Sequence, residues 1–129
     1  MLAIDANVIV LLLTDDHAEQ SEKARALIAR GKVFVATTVL LETEWVLRYS
    51  YRYRAADVLD SLTAFIGLPN VVLEDSALAA SALGGMGAGM DFADALHLAS
   101  AARCDAFVSF DTRLAKAARG LGGLEVRAP

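Results

Sequence analysis

Short runs of apolar residues alternate along this chain with longer segments in which apolar residues recur at helical spacing. The short runs predict five strands, at residues 2–4, 33–35, 70–73, 106–110 and 124–126. Strands that are apolar throughout and separated by helices are typical of a parallel sheet covered on both faces. The pattern therefore predicts an α/β fold.

The segments between the strands predict seven helices, at residues 6–13, 18–30, 38–51, 55–65, 75–83, 91–103 and 112–119. Gly31 is expected to end the second helix, and Thr37 or Thr38 to cap the third. The glycine-rich stretch 84–89 follows no strand and lacks the Lys-Ser/Thr pair of a phosphate-binding loop. We interpret it either as a mobile loop beside the functional site or as a plain connection.

Length and composition indicate one helix-rich domain over residues 1–129. Hydrophobic residues make up 56% of the chain, an excess that suits close packing and a large apolar partner surface. No apolar run approaches the roughly 18 residues that a membrane-spanning helix needs, and Asp5 lies where a signal peptide would carry positive charge. We therefore expect a cytoplasmic protein without membrane contact. Cys104 is the single cysteine and is expected to be a buried structural thiol.

The formal net charge of −4 argues weakly against a nucleic-acid partner, because phosphate contacts require a positive field. Acids that converge on a metal ion, however, form a site that is locally neutral or positive. The positions of the acidic residues therefore matter more than the overall charge.

Two aspartates follow predicted strands. Asp5 ends the first strand and Asp111 follows the fourth, and in an open parallel sheet ligands bind beyond the carboxyl ends of the strands. Each aspartate could instead cap the helix that comes after it. The comparable position of the two residues favours the functional interpretation.

The third predicted helix carries two glutamates with different surroundings. Glu42 shares a face with Trp45 and Tyr49, so its charge is expected to lie among bulky apolar side chains and to need compensation. Glu44 points about 200° away and has Arg48 four residues later, in the order that favours a surface ion pair. We therefore predict that Glu42 is functional, with a buried acid paired to an arginine as the alternative.

Asp91 and Asp94 are three residues apart and project from one side of the first turn of the sixth predicted helix. Acids at a helix N-terminus are favoured by the exposed N–H groups, which gives Asp91 a plain explanation as an N-cap. Asp94 is expected to point between Ala95 and Leu98 toward the apolar interior. It is therefore the better functional candidate of the two.

Four acids remain as candidate catalytic and metal-binding residues, namely Asp5, Glu42, Asp94 and Asp111. Hard oxygen ligands without a His or Cys cluster favour Mg²⁺, with Mn²⁺ as a possible substitute, over zinc. Such a site can activate a water molecule and neutralise charge on a phosphate during its transfer.

Four segments, in order along the chain, resemble the motifs of the PIN-domain family, and in particular of the VapC-type toxins from bacterial toxin–antitoxin pairs. They are residues 2–7 (LAIDAN), 39–48 (VLLETEWVLR), 91–97 (DFADALH) and 108–111 (VSFD). The principal acids of the family motifs align with the same four candidate residues. Ala6 stands where the family often has threonine or serine, so a hydroxyl contact is absent there.

The resemblance implies a three-layer α/β/α sandwich around a short central parallel sheet. It implies an endoribonuclease that cleaves RNA by metal-activated water, a homodimer, and a cognate antitoxin protein whose segment lies across the active-site groove. By family analogy, Asn7 helps to position Asp5 and the substrate. In the same way, Ser109 supports the metal-bound water or the phosphate, and Asp91 assists the principal acids.

Arginines alternate with tyrosines between residues 48 and 54, and a second basic face follows Asp111. Arginine pairs with phosphate and tyrosine stacks on unpaired bases, so these segments could bind single-stranded RNA. The alternative is a solvated helix end or a dimer contact. The candidate RNA-binding residues are Arg48, Arg52, Arg54 and Arg113.

Two other functions compete with the ribonuclease. A Mg²⁺-binding phosphohydrolase or phosphoacceptor domain also gathers aspartates at strand ends. It normally needs a second acid near the first, where this chain has Asn7, and a lysine at the end of a late strand, which this chain lacks. A catalytically inactive PIN-like binding module would retain the fold but lose a ligand, whereas this chain has the full set of acids.

Overall fold

The computed structural model describes all 129 residues, Met1–Pro129, and confirms the helix-rich α/β class. Its helices are α1 (Ala6–Thr14), α2 (Ala18–Arg30), α3 (Thr37–Trp45), α4 (Ala55–Ile66), α5 (Ser76–Gly87), α6 (Phe92–Ser100) and α7 (Thr112–Leu121). Its strands are β1 (Leu2–Ala3), β2 (Val33–Val35), β3 (Val71–Leu73), β4 (Phe107–Val108) and β5 (Val126–Arg127). None of the helices has the length and apolar character needed to span a membrane.

The chain divides into two compact units, Met1–Ser76 and Ala77–Pro129. The first unit contains a parallel sheet with the strand order β1-β2-β3, in which Leu2 pairs with Val33 and Val33 with Val71. Because parallel neighbours require crossover connections, a pair of helices separates each strand from the next. This arrangement places the carboxyl ends of the three strands at the same edge of the sheet.

Apolar side chains of the strands and helices form the core of the first unit. The side chains that are almost completely buried there are Ile9, Val33, Val35, Leu40, Leu47, Val58, Leu62 and Phe65. Burial of each such side chain contributes roughly 1.5–3 kcal/mol toward folding. The strands are short, so the helices supply most of this core.

The third predicted helix forms in two parts. Helix α3 continues into a π-helical turn over Val46–Ser50. The expectation that Thr37 or Thr38 caps this helix is wrong, because the N-cap position is Ala36 and no side chain there makes a capping bond. Instead, the Thr37 N–H donates to Glu74 Oε1 at 2.9 Å, so a residue directly after β3 stabilises the start of α3.

The second unit contains α6 and α7, nearly all of α5, and a two-stranded parallel sheet in which Phe107 pairs with Val126. Helix α7 connects the two strands. Phe92 and Ala82 are fully buried in this unit. All five predicted strands therefore form, in sheets of three and two strands.

The glycine-rich stretch 84–89 is not the loop that we predicted, because α5 continues through it to Gly87. Gly85 is buried, and a Cβ atom at this position would lie 2.9 Å from the Cβ of Ala95 in α6. The missing side chain thus lets α5 and α6 approach closely. Gly89, with φ +98°, follows the helix end in a conformation that favours glycine.

We expect Gly84→Ala and Gly85→Ala to change stability in opposite directions. At Gly84 an added Cβ meets nothing within 4 Å, so the higher helix propensity of alanine should stabilise the protein by about 0.5–1 kcal/mol. At Gly85 the added atom collides with Ala95, and we expect a loss of about 1–3 kcal/mol. Urea denaturation of both variants measures the difference, and equal effects would contradict the close approach of the helices.

Two residues that were expected inside the fold lie at the surface. Cys104 is exposed because α6 ends at Ser100 and the chain then turns toward β4, so the prediction of a buried thiol is wrong. The apolar run 106–110 predicts a strand covered on both faces, but β4 ends at Val108 and 85% of the Phe110 surface is accessible.

Candidate active site

The first candidate acid, Asp5, follows β1 and is exposed at the start of α1. Its Oδ1 accepts a hydrogen bond of 3.2 Å from the Val8 N–H, so the residue does cap the helix. Because that bond uses Oδ1, Oδ2 can bind a cation at the same time. Asn7 lies in the first turn of α1 and is also exposed.

The two glutamates of α3 lie in surroundings opposite to those expected. Glu44 is only 3% exposed and pairs with Arg48 at 3.3 Å, so the predicted pair forms but is buried instead of lying at the surface. Glu42 is exposed and is not surrounded by a buried apolar face. The prediction failed because apolar residues occur on both sides of this helix, and Leu40 and Leu47 mark the buried side.

The face of α3 that carries Glu42 presents two exposed aromatic side chains. Trp45 and Tyr49 are 55% and 57% exposed, and their ring centroids lie 5.5 Å apart. The Arg48 guanidinium lies 5.6 Å from the centroid of the Tyr49 ring, a cation–π distance. Contacts with Glu44 and Tyr49 thus hold Arg48, which is less available for RNA than we expected.

The second unit brings three candidate acids together. Asp91, Asp94 and Asp111 line one open cavity of about 320 Å³, with Arg113 also in its wall. Asp91 occupies the N-cap position of α6 without making a side-chain capping bond, so its carboxylate remains available to the cavity. Asp5 and Glu42 belong to the first unit.

The electrostatics of this cavity act most strongly on Asp94. Partial burial raises the pKa of Asp94 above its ordinary value, and the negative charges of Asp91 and Asp111 raise it further, while His97 lowers it. The negative charges of Asp91 and Asp111 therefore disfavour the ionised form of Asp94. A bound cation would offset this effect.

Local hydrogen bonds hold Asp111 in place. Its backbone N–H donates to Ser109 Oγ at 3.0 Å, so the hydroxyl that we expected near the metal supports the backbone of a candidate ligand. Asp111 Oδ1 accepts from the N–H groups of Arg113 and Leu114 at 2.9 and 3.1 Å and caps α7. Asp111 thus caps a helix, and Oδ2 can still face the cavity.

The remaining candidate RNA-binding residues lie at the surface. Arg54 is exposed and pairs with Asp57 at 3.1 Å, a solvated pair that stabilises little and that a phosphate could replace. Arg52 is exposed and has a left-handed backbone with φ +58°. Arg113 is the arginine that lies beside the acidic cavity.

The donor chemistry of the candidate residues fits a hard divalent cation, because every candidate ligand is a carboxylate oxygen. No group of three or more His, Cys, Asp or Glu side chains is arranged to hold a metal ion by itself. Mg²⁺ is commonly held by one or two carboxylates together with water molecules, and these side chains can provide such ligands. Asp94 and Asp111 offer carboxylate oxygens to one cavity of the second unit.

Comparison with known proteins places the chain in a family. Residues 2–120 match the PIN domain, which is most of the chain. One similar solved structure is the crystal structure of VapC20 from Mycobacterium tuberculosis, a toxin that cleaves the sarcin–ricin loop. It shares 20% sequence identity over 98% of this chain and 99% of that chain, with a TM-score of 0.45. No curated protein matches the sequence. Because the PIN-domain match spans far more than half of its length, the chain belongs to the PIN-domain family.

Proposed function

We propose that this protein is a Mg²⁺-dependent endoribonuclease and the toxin of a VapC-type toxin–antitoxin pair. The observation that carries the proposal is the cavity that Asp91, Asp94 and Asp111 share with Arg113. Carboxylates beside a cation-binding space suit hydrolysis of a phosphodiester, and the neighbouring arginine suits the phosphate. Membership of the PIN-domain family supports the same activity.

The four catalytic acids of the proposal are Asp5 and Glu42 in the first unit and Asp94 and Asp111 in the second, and their carboxylate oxygens suit Mg²⁺ or Mn²⁺. A bound metal would supply an activated water molecule and positive charge for the phosphate. Asp111 would enter the reaction in a fixed position, because its backbone and Oδ1 are already hydrogen-bonded. Asp91 would add negative charge beside Asp94 and so strengthen the attraction of the site for a cation.

Other residues would bind and orient the RNA. Arg113 can pair with a phosphate oxygen at the wall of the cavity, and Arg52 and Arg54 are exposed for contacts with the RNA backbone. Arg48 contributes mainly through its contacts with Glu44 and Tyr49. Asn7, beside Asp5, is proposed to orient that carboxylate and the substrate.

A cognate antitoxin and a second copy of the chain are the proposed protein partners. An apolar cavity of about 500 Å³ in the second unit, lined largely by alanine, glycine and leucine residues of α5, α6 and α7, supports an apolar protein contact. The exposed Trp45 and Tyr49 support a further contact on α3 and the π-helical turn that follows it. The organisation as one nuclease domain and a cytoplasmic location are parts of the same proposal.

We expect the purified protein to cut structured RNA in the presence of Mg²⁺ or Mn²⁺. This cleavage should stop when EDTA is added. Denaturing gels would follow the cleavage products, and excess Mg²⁺ should restore activity after EDTA. Cleavage that continues in EDTA would contradict the metal dependence. Hydrolysis of a small phosphomonoester without RNA cleavage would favour the phosphohydrolase, and RNA binding without cleavage would favour an inactive PIN-like module.

A further inference from the structure

Phe110 is the most exposed large apolar side chain of the protein, with 85% of its surface accessible to solvent. Single exposed apolar residues are common on protein surfaces and need no explanation by themselves. Phe110 differs because of its position in the chain, immediately before Asp111, which lines the acidic cavity.

Hydrogen bonds on both sides fix the backbone that presents this ring. The Ser109 N–H donates to the Arg127 carbonyl oxygen at 3.0 Å and ties the residue before Phe110 to β5. The residue after it, Asp111, donates its N–H to Ser109 Oγ and caps α7 through its carboxylate. Phe110 therefore extends from a rigid turn, and little backbone freedom is lost when a partner contacts its ring.

The groups that line the cavity match the phosphate of a nucleotide and its cation. Arg113 suits a phosphate, and the carboxylates of Asp94 and Asp111 suit the cation that accompanies it. Neighbouring Cα atoms are about 3.8 Å apart, so the residue that carries the ring lies directly next to Asp111, which lines the cavity. The part of RNA that fits an exposed aromatic face is an unpaired base.

We propose that Phe110 stacks on an unpaired nucleobase beside the phosphate that is cleaved, an inference that rests on the proposed ribonuclease function. Stacking is favoured over contact with an apolar protein segment because Asp111 and Arg113, which follow Phe110 in the chain, line a cavity that suits a cation and a phosphate. Every base has an aromatic face, so the contact positions the RNA without reading its sequence. The ring selects single-stranded RNA over a fully paired helix.

The test compares Phe110→Ala, Phe110→Leu and Phe110→Trp in cleavage of the RNA that the wild-type protein cuts. Loss of one stacking contact should raise KM roughly 5- to 150-fold in the Ala and Leu variants, while Trp retains activity and kcat changes little. Leucine keeps the apolar bulk without an aromatic face and so separates stacking from hydrophobic contact. Leu68→Ala, at an exposed apolar side chain that lines neither the acidic nor the apolar cavity, should leave KM unchanged.

A binding measurement makes the test independent of catalysis. Fluorescence anisotropy in EDTA would follow a short single-stranded RNA of mixed sequence and versions with one abasic site at each position in turn. Wild-type protein should lose affinity at one position, and Phe110→Leu should bind the intact RNA as weakly as that abasic version. Ring-dependent binding by a protein that cleaves no RNA would refute the proposed nuclease but leave the stacking contact intact.

Two results would overturn the stacking contact. The first is an active nuclease in which Phe110→Leu retains wild-type KM and RNA affinity. The second is a Phe110→Ala variant with unchanged KM whose elution in size-exclusion chromatography shifts to a smaller species, because the ring would then belong to a protein interface.

Discussion

Asp94→Asn is expected to abolish RNA cleavage and, in metal-free buffer, to make the protein slightly more stable. The substitution keeps the size of the side chain but removes a proposed metal ligand. A metal ion supplies several kcal/mol of transition-state stabilisation, so the cleavage rate should fall at least about 100-fold. Stability should rise because the fold disfavours a charged Asp94 next to Asp91 and Asp111. Gel assays and thermal unfolding in EDTA measure the two effects.

The stability gain has a definite pH dependence. The pKa of Asp94 is raised by burial and by the neighbouring carboxylates, so the folded protein binds a proton there more readily than the unfolded chain. The ionised side chain consequently destabilises the fold at neutral pH, and this effect disappears once the pH falls below the ordinary aspartate range. The melting temperature of Asp94→Asn should exceed that of the wild type by at most a few degrees at neutral pH. The difference should close in acid.

Magnesium should reverse the order of stability. Added Mg²⁺ stabilises whichever protein binds it, so it should raise the melting temperature of the wild type more than that of Asp94→Asn. Asp105→Asn is a suitable control, because Asp105 is exposed in the same unit and does not line the cavity. Full activity in Asp94→Asn, or equal Mg²⁺ stabilisation of both proteins, would remove Asp94 from the proposed site.

The positions of strands and helices could be predicted because they depend on local patterns. Helix α2 spans the predicted residues from Ala18 to Arg30, and the five strands appear where short apolar runs occur. The motifs also pointed correctly to membership of the PIN-domain family. They selected Asp91, Asp94 and Asp111, which do line one cavity, although the catalytic roles of these residues remain predictions.

Features that depend on contacts between distant residues could not be predicted in this way. The glycines of α5 suggested a loop, whereas the close packing of Gly85 on Ala95 makes a helix favourable there. The exposure of Phe110 follows from the turn that Ser109 and Asp111 form, which interrupts an otherwise apolar run. A hydroxyl two residues before an acid was the available signal for that turn.

Glu42 and Glu44 provide the second large prediction, in which activity and stability separate. Glu42 is exposed, so Glu42→Gln should change stability by no more than about 0.5 kcal/mol. As a proposed catalytic acid, however, its loss should reduce RNA cleavage by at least about 100-fold. Glu44 is buried against Arg48, so Glu44→Gln should lower stability by about 1–3 kcal/mol. At temperatures where this variant remains folded, it should still cleave RNA.

A double-substitution cycle tests whether the Glu44–Arg48 pair causes that loss. Arg48→Met keeps an aliphatic stem beside the Tyr49 ring but removes the charge, which would leave the Glu44 carboxylate buried without this partner. The stability loss of the double variant should therefore be smaller than the sum of the losses of the two single variants. The reason is that the double variant leaves no buried charge at either position. Urea denaturation measures all four proteins. Additive effects would show that the pair is not coupled. A folded but inactive Glu44→Gln together with an active Glu42→Gln would transfer the catalytic role from Glu42 to Glu44.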